Sequence, residues 1–185
     1  ARTLGVMKPP QHTPEQQEII DFMTAMRKEP DRGTALISAA LLDTRLAEIL
    51  SSFLVKSKNS TSLLEGAMAP LSTFASRASM AAALGLIQEN EFSEITIIRK
   101  IRNEFGHSWK PVTFESDSIA ALCRKLPWLG PPGSEVTSTL RSRFTMNVTI
   151  LLFDLMWRKD LVAKERRTSK LWPNKMRGQA ARDDA

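Results

Sequence analysis

Apolar residues recur every three or four positions along most of this chain, and nowhere do they alternate for long with polar ones. The pattern predicts helices and no sheet. Thr13-Pro14 reads as a helix start, with threonine as N-cap and proline in the first turn. Ile19, Ile20, Met23 and Met26 give that helix its apolar face, and Pro30 ends it. Asp31 is expected to cap a second helix carrying Leu36, Ile37, Ala40, Leu41, Ile49, Phe53 and Leu54. The polar run 56–62 reads as a loop, followed by a short helical turn over 62–65. Pro70 opens the next segment, with Ser72 as its expected cap. Residues 72–88, rich in Ala, Met and Leu, predict a central buried helix that Asn90 breaks.

The cleanest amphipathic signal spans 91–105, where Phe92, Ile95, Ile98, Ile101 and Phe105 repeat at helical spacing. Gly106 suits the left-handed residue that closes a helix. A short helix follows over 117–126, then an unmistakable loop with Pro127, Gly130, Pro131, Pro132 and Gly133. Val136, Leu140, Phe144, Val148, Leu151, Leu152 and Leu155 predict one long helix over 134–167, about 50 Å if unbroken. The expected fold is all-α: a single-domain bundle of about six helices with a long C-terminal helix. An extended arm over 1–12 precedes a helical domain over 13–163, and a basic tail occupies 164–185.

Composition supports one folded domain. The 185 residues suffice for a real core, and the apolar (42%) and charged (25%) fractions are those of a globular protein. The lone cysteine, Cys123, excludes an internal disulfide and a cysteine-based zinc site and fits a reducing compartment. No run of about 18 uncharged apolar residues exists, and no secretory signal pattern opens the chain, so a cytoplasmic protein is expected. The net charge of +6 is uneven. From Lys164 onward seven basic residues face three acids, so the tail holds most of the excess. Arg166, Arg167, Lys170, Trp172 and Lys175 form a candidate nucleic-acid contact, cations for phosphates and an indole for stacking; a solvated tail is the plainer account.

Familiar catalytic signatures are missing. There is no glycine-rich phosphate loop or GxSxG elbow, and with His12 and His107 the only histidines, no HExxH site. No metal and no cofactor is expected. Cys123 lies on an apolar face between Ile119 and Leu126 and reads as core. In LISAALLDTRL, Asp43 sits in an otherwise apolar stretch and demands a partner if buried. Arg77, in MAPLSTFASR (68–77), is the expected one, with Ser72 in the same structural polar network; Glu48 is the other acid that Arg77 could meet, and a helix cap with a surface arginine is the plainer account.

The sharpest local feature is IRNEFGHS, 101–108, in which Arg102 and Asn103 are followed by His107. This RN-x3-H spacing resembles the signature of HEPN ribonucleases, which act on RNA without a metal. The resemblance implies that Arg102 steadies a phosphate and His107 transfers a proton, in a homodimer whose two motifs line one groove. Yet five residues turn through about 500°, placing Arg102 and His107 roughly 140° apart on an ideal helix. Cations near a helix C-terminus also have a purely structural use, since they meet its free carbonyls or an acid; Glu104 and Glu91 are local candidates to hold Arg102.

Four segments in order carry a broader resemblance: RGTALISAALLDTRLAEIL at 32–50, LLEGAMAPLSTFASRASMAAALGLI at 63–87, EFSEITIIRKIRNEFGHS at 91–108 and TFESDSI at 113–119. Together they resemble the mannitol operon repressor family across about residues 14–125. The resemblance implies a helical bacterial protein tied to repression of a sugar-uptake operon. It implies action through protein partners, such as another transcription regulator, and no DNA-reading module of its own. No segment here reads as a helix-turn-helix with a basic recognition helix. The leading expectation is thus a regulatory interaction protein and not an enzyme. The alternative is a metal-independent endoribonuclease using Arg102, Asn103 and His107.

Overall fold

The structure, a computed structural model, describes residues 12–172. Lys175 and residues 1–11 of the expected arm lie outside it. Among the described residues there are eight helices and no strand: α1 Pro14–Lys28, α2 Asp31–Phe53, α3 Lys58–Leu64, α4 Phe74–Ala83, α5 Glu89–His107, α6 Asp117–Cys123, α7 Leu140–Leu155 and α8 Arg158–Ala163. The all-α single domain is as expected. None of these helices is long and apolar enough to cross a membrane.

The axis of the bundle is α2, about 35 Å long at 1.5 Å per residue. It packs against α1, α3, α4, α5, α7 and α8. Its sequence explains this position. Ala35, Ala39, Leu42, Leu46, Ile49 and Leu50 are buried, and the alanines let neighbouring helices come close. The central helix is therefore α2, and not the Ala-rich 72–88 segment, whose realised helix buries only Ala78 and Ala81. Phe105 of α5 meets Phe114 edge-on, with ring centroids 5.1 Å apart. Phe114 in turn lies 5.0 Å from Phe144 of α7. This aromatic run joins α5 and α7 through the loop between α5 and α6.

Several ends differ from expectation, each for a local reason. Thr13 and Gln16 form a reciprocal capping box at the start of α1, as the Thr-Pro signal predicts. Asp31 does not cap α2 but is its first residue. Its carboxylate instead accepts from Arg141 Nη1 (2.6 Å) and the Phe114 backbone N–H (3.1 Å). Within the polar run 56–62, Ser57 caps a true helix, α3. Thr73, not Ser72, caps α4. Gly85, at φ +69°, ends α4: its N–H bonds to Ala82 O and that of Leu86 to Ala81 O, the paired bonds of a Schellman closure. Asn90 breaks nothing, because it lies within α5. Gly106 has no positive φ, and α5 continues through it to His107. The long C-terminal helix is present as α7 but starts at Leu140. It is interrupted at Met156–Trp157, after which α8 packs against α2.

Two arginines, Arg45 buried and Arg141 partly so, lock the elements together. Arg141 Nη2 donates to Glu29 O (2.6 Å) and Met26 O (3.2 Å), closing the end of α1 while Nη1 holds Asp31. Arg45, in α2, pairs with Glu48 at 2.8 Å and with Glu18 of α1. Such pairs are worth having only when both partners are kept, since a lone buried charge is strongly unfavourable.

Candidate functional site

One cleft brings the two polar features singled out above into a single place. It measures about 440 Å³ and lies between α2, α5 and the start of α4. From α2 come Leu36, Ala39, Ala40 and Asp43, spaced three, four and seven residues along one face. Ala39 and Ala40 leave the room. The segment 72–75 forms the second wall. Arg99, Arg102 and Asn103 of α5, again at spacings of three and four, form the third.

Asp43 and Arg77 meet at the edge of this cleft. Arg77 Nη1 donates to Asp43 Oδ2 at 2.8 Å. Its other nitrogens donate to Leu71 O (2.8 Å) and Leu64 O (3.3 Å), so one guanidinium ties the loop before α4 to α2. Asp43 Oδ1 is buried with no hydrogen-bond partner. Ser72 lines the cleft and gives its backbone N–H to Ala69 O. Its hydroxyl makes no bond to the Asp43–Arg77 pair among the described residues.

The RN-x3-H residues are split. Arg102 is exposed, faces the cleft and donates to Asn103 Oδ1 at 3.2 Å. His107 is exposed at the last position of α5 and is not part of the cleft lining. The helix geometry accounts for the separation, because Gly106 does not bend the chain to bring His107 round. Neither nearby acid holds Arg102. Glu91 is taken by Arg158 at 2.7 Å, and Glu104 accepts the Ser118 hydroxyl at 3.0 Å. The carbonyls past the end of α5 are met by a residue the sequence did not single out: Arg32 Nη2 donates to Ser108 O (2.7 Å) and Lys110 O (3.0 Å).

The cleft has an uneven charge. Arg77 offsets Asp43, whereas neither Arg99 nor Arg102 forms an ion pair among the described residues. Arg99 was not singled out in the sequence; the cleft is what sets it beside Arg102. No group of three His, Cys, Asp or Glu that could hold a metal occurs among the described residues. Cys123 is fully buried, and burial pushes its thiol up to about 12, where it is a poor nucleophile.

This arrangement of helices is shared with a solved protein. A chain of the X-ray structure of the MtlR–HPr complex from Escherichia coli superposes with a TM-score of 0.52. The match covers 82% of this chain and 99% of that chain, at 17% identity. The fold is MtlR-like. At that identity the likeness is one of fold alone. No family model matches the sequence, and no curated protein matches it.

The tail residues divide in a different way. Arg166 Nη1 donates to Leu54 O (2.8 Å) and Ser51 O (3.0 Å), and the Arg167 N–H donates to Phe53 O (2.8 Å). Both therefore close the C-terminal end of α2, Arg166 through its guanidinium, a use of a cation that the helix dipole favours, and Arg167 through its backbone N–H. Lys170 and Trp172 are exposed.

Proposed function

We propose that this chain is a regulatory interaction protein of the mannitol operon repressor type, which acts by holding a protein partner and does not read DNA itself. The observation that carries the reading is the fold shared with a chain of the MtlR–HPr complex over 82% of this sequence. The ordered resemblance of four segments supports it. The proposed partner is accordingly a protein of the HPr kind. Exposed apolar side chains about the α7–α8 junction offer it a place: Phe153, Trp157 and Leu161, with Trp157 47% exposed. Large aromatic side chains of this sort dominate protein interfaces.

The test is a calorimetric titration of the full chain with HPr. Saturable binding is expected, weakened about thirtyfold by Trp157→Ala if that indole is an anchor worth about 2 kcal/mol. A parallel anisotropy titration with promoter DNA should give no competitor-resistant binding. Failure of HPr to bind, or tight sequence-specific DNA binding by the chain alone, would overturn the reading.

A further inference from the structure

The cleft between α2, α4 and α5 has features that partner binding does not use. It is lined by two arginines, Arg99 and Arg102, that form no ion pair, while the one acid in its wall, Asp43, is already offset by Arg77. Two uncompensated guanidinium groups three residues apart on one helix face repel each other and raise the local potential. Their fixed donor forks suit a tetrahedral oxyanion. Asn103 adds a neutral hydrogen-bonding group to the same wall. A volume of about 440 Å³ is that of a small-ligand site and not of a long groove.

We propose that this cleft binds a phosphate dianion, free or as the terminal group of a small phosphate monoester, with Arg99 and Arg102 as its principal ligands. The charge favours this class over a nucleic-acid backbone. A monoester carries close to two negative charges above its second pKa of about 6, matching the two free arginines, whereas each backbone diester carries one. His107 has no part in the site, since it stands outside the cleft lining. Asp43 and Arg77 position the α4 wall and do not touch the ligand's phosphate.

The experiment is calorimetry on the full chain at about pH 8, where phosphate is dianionic. The probes are inorganic phosphate, ribose 5-phosphate and ribose, with sodium chloride at matched ionic strength as the control. Saturable binding of one or both phosphates is expected, with none of ribose. Equal affinities would identify free phosphate as sufficient, and tighter ribose 5-phosphate binding would identify the monoester. Arg99→Gln and Arg102→Gln should each weaken binding about tenfold or more, the loss of a charge-assisted contact. Both side chains lie at the surface or partly so, and neither holds another element. Unliganded melting should therefore stay unchanged, which separates ligand loss from misfolding. HPr binding by the same variants should persist, so the two proposals fail independently. The idea is overturned if neither phosphate binds, if sodium chloride reproduces the effect, or if both variants bind as the parent does. It is also overturned if a single-stranded RNA oligonucleotide binds in the cleft more tightly than ribose 5-phosphate.

Discussion

Glu91 and Arg158 form a two-pronged ion pair, with Nη2 to Oε1 at 2.7 Å and Nη1 to Oε2 at 3.1 Å. Glu91 is only 3% exposed, and the same carboxylate accepts the Gln88 N–H as half of the box that caps α5. Arg158 also donates to Leu86 O. One carboxylate thus joins the start of α5 to the first residue of α8. Arg158→Met should destabilise the domain by about 3–5 kcal/mol, because Glu91 would be left buried without its counter-charge. Replacing both, as Glu91→Leu with Arg158→Met, should recover part of that loss. Urea unfolding of the three variants checks this, and a double variant weaker than the Arg158→Met single would refute it.

Glu94 lies one turn on and is buried without an ion pair among the described residues. Burial first, then the negative charges of Asp154 and Glu91, raise its pKa above the ordinary 4.5. A carboxyl raised on folding contributes stability below its unfolded pKa and loses it as pH climbs through the folded value. Glu94→Gln, which keeps the shape without the charge, should raise Tm at pH 7 by about 1–3 °C. The advantage should shrink as pH falls toward about 4.3. Melting curves across this range decide the matter; a variant less stable than the parent at pH 7 would show that the charge is accommodated.

Arg77 should prove more costly to replace than its partner. It holds Asp43 and the carbonyls of Leu64 and Leu71, whereas Asp43 holds Arg77 alone among these three contacts. The expected losses are about 3 kcal/mol for Arg77→Met and about 1–2 kcal/mol for Asp43→Asn. The two should couple, the double variant losing less than the sum. Denaturant unfolding of the cycle measures this, and strict additivity would mean that the 2.8 Å contact does not matter to stability.

With His107 outside the cleft that Arg102 lines, the chain should not cleave RNA in EDTA above background, and His107→Ala should behave identically. A fluorogenic single-stranded RNA provides the assay. Cleavage by the parent that disappears in His107→Ala would make the protein a nuclease and displace the regulatory reading.

What the sequence revealed and what it concealed follow from the range of the interactions. Helix faces and the Thr13-Pro14 start depend on residues three or four apart, and both are visible in the string. The closure of α4 by Gly85 and the capping of α3 by Ser57 are equally local, yet Asn90 and the polar character of 56–62 masked them. The Asp43–Arg77 contact was inferable because an acid in an apolar run needs a partner. Arg32, Arg141 and Arg158 gave no such warning. Each finds its partners more than 65 residues away. The cleft was equally hidden, because Arg99 becomes significant only once α2 presents Ala39 and Ala40 opposite it.

The interruption at Met156–Trp157 sets an order of events for a growing chain. It turns α8 onto α2, and just beyond it Arg166 and Arg167 close the carbonyls at the end of α2. α2 precedes α8 in the chain, so the side of it that α8 covers stays bare until the chain has grown past Arg167. During that interval Leu46, Ile49 and Leu50 belong to a helix whose packing is incomplete. Domains acquire full cooperativity only when such surfaces are covered. Between the making of α2 and of α8 the nascent chain therefore carries part of its own axis as an exposed sticky surface, and α8 is what ends that vulnerability.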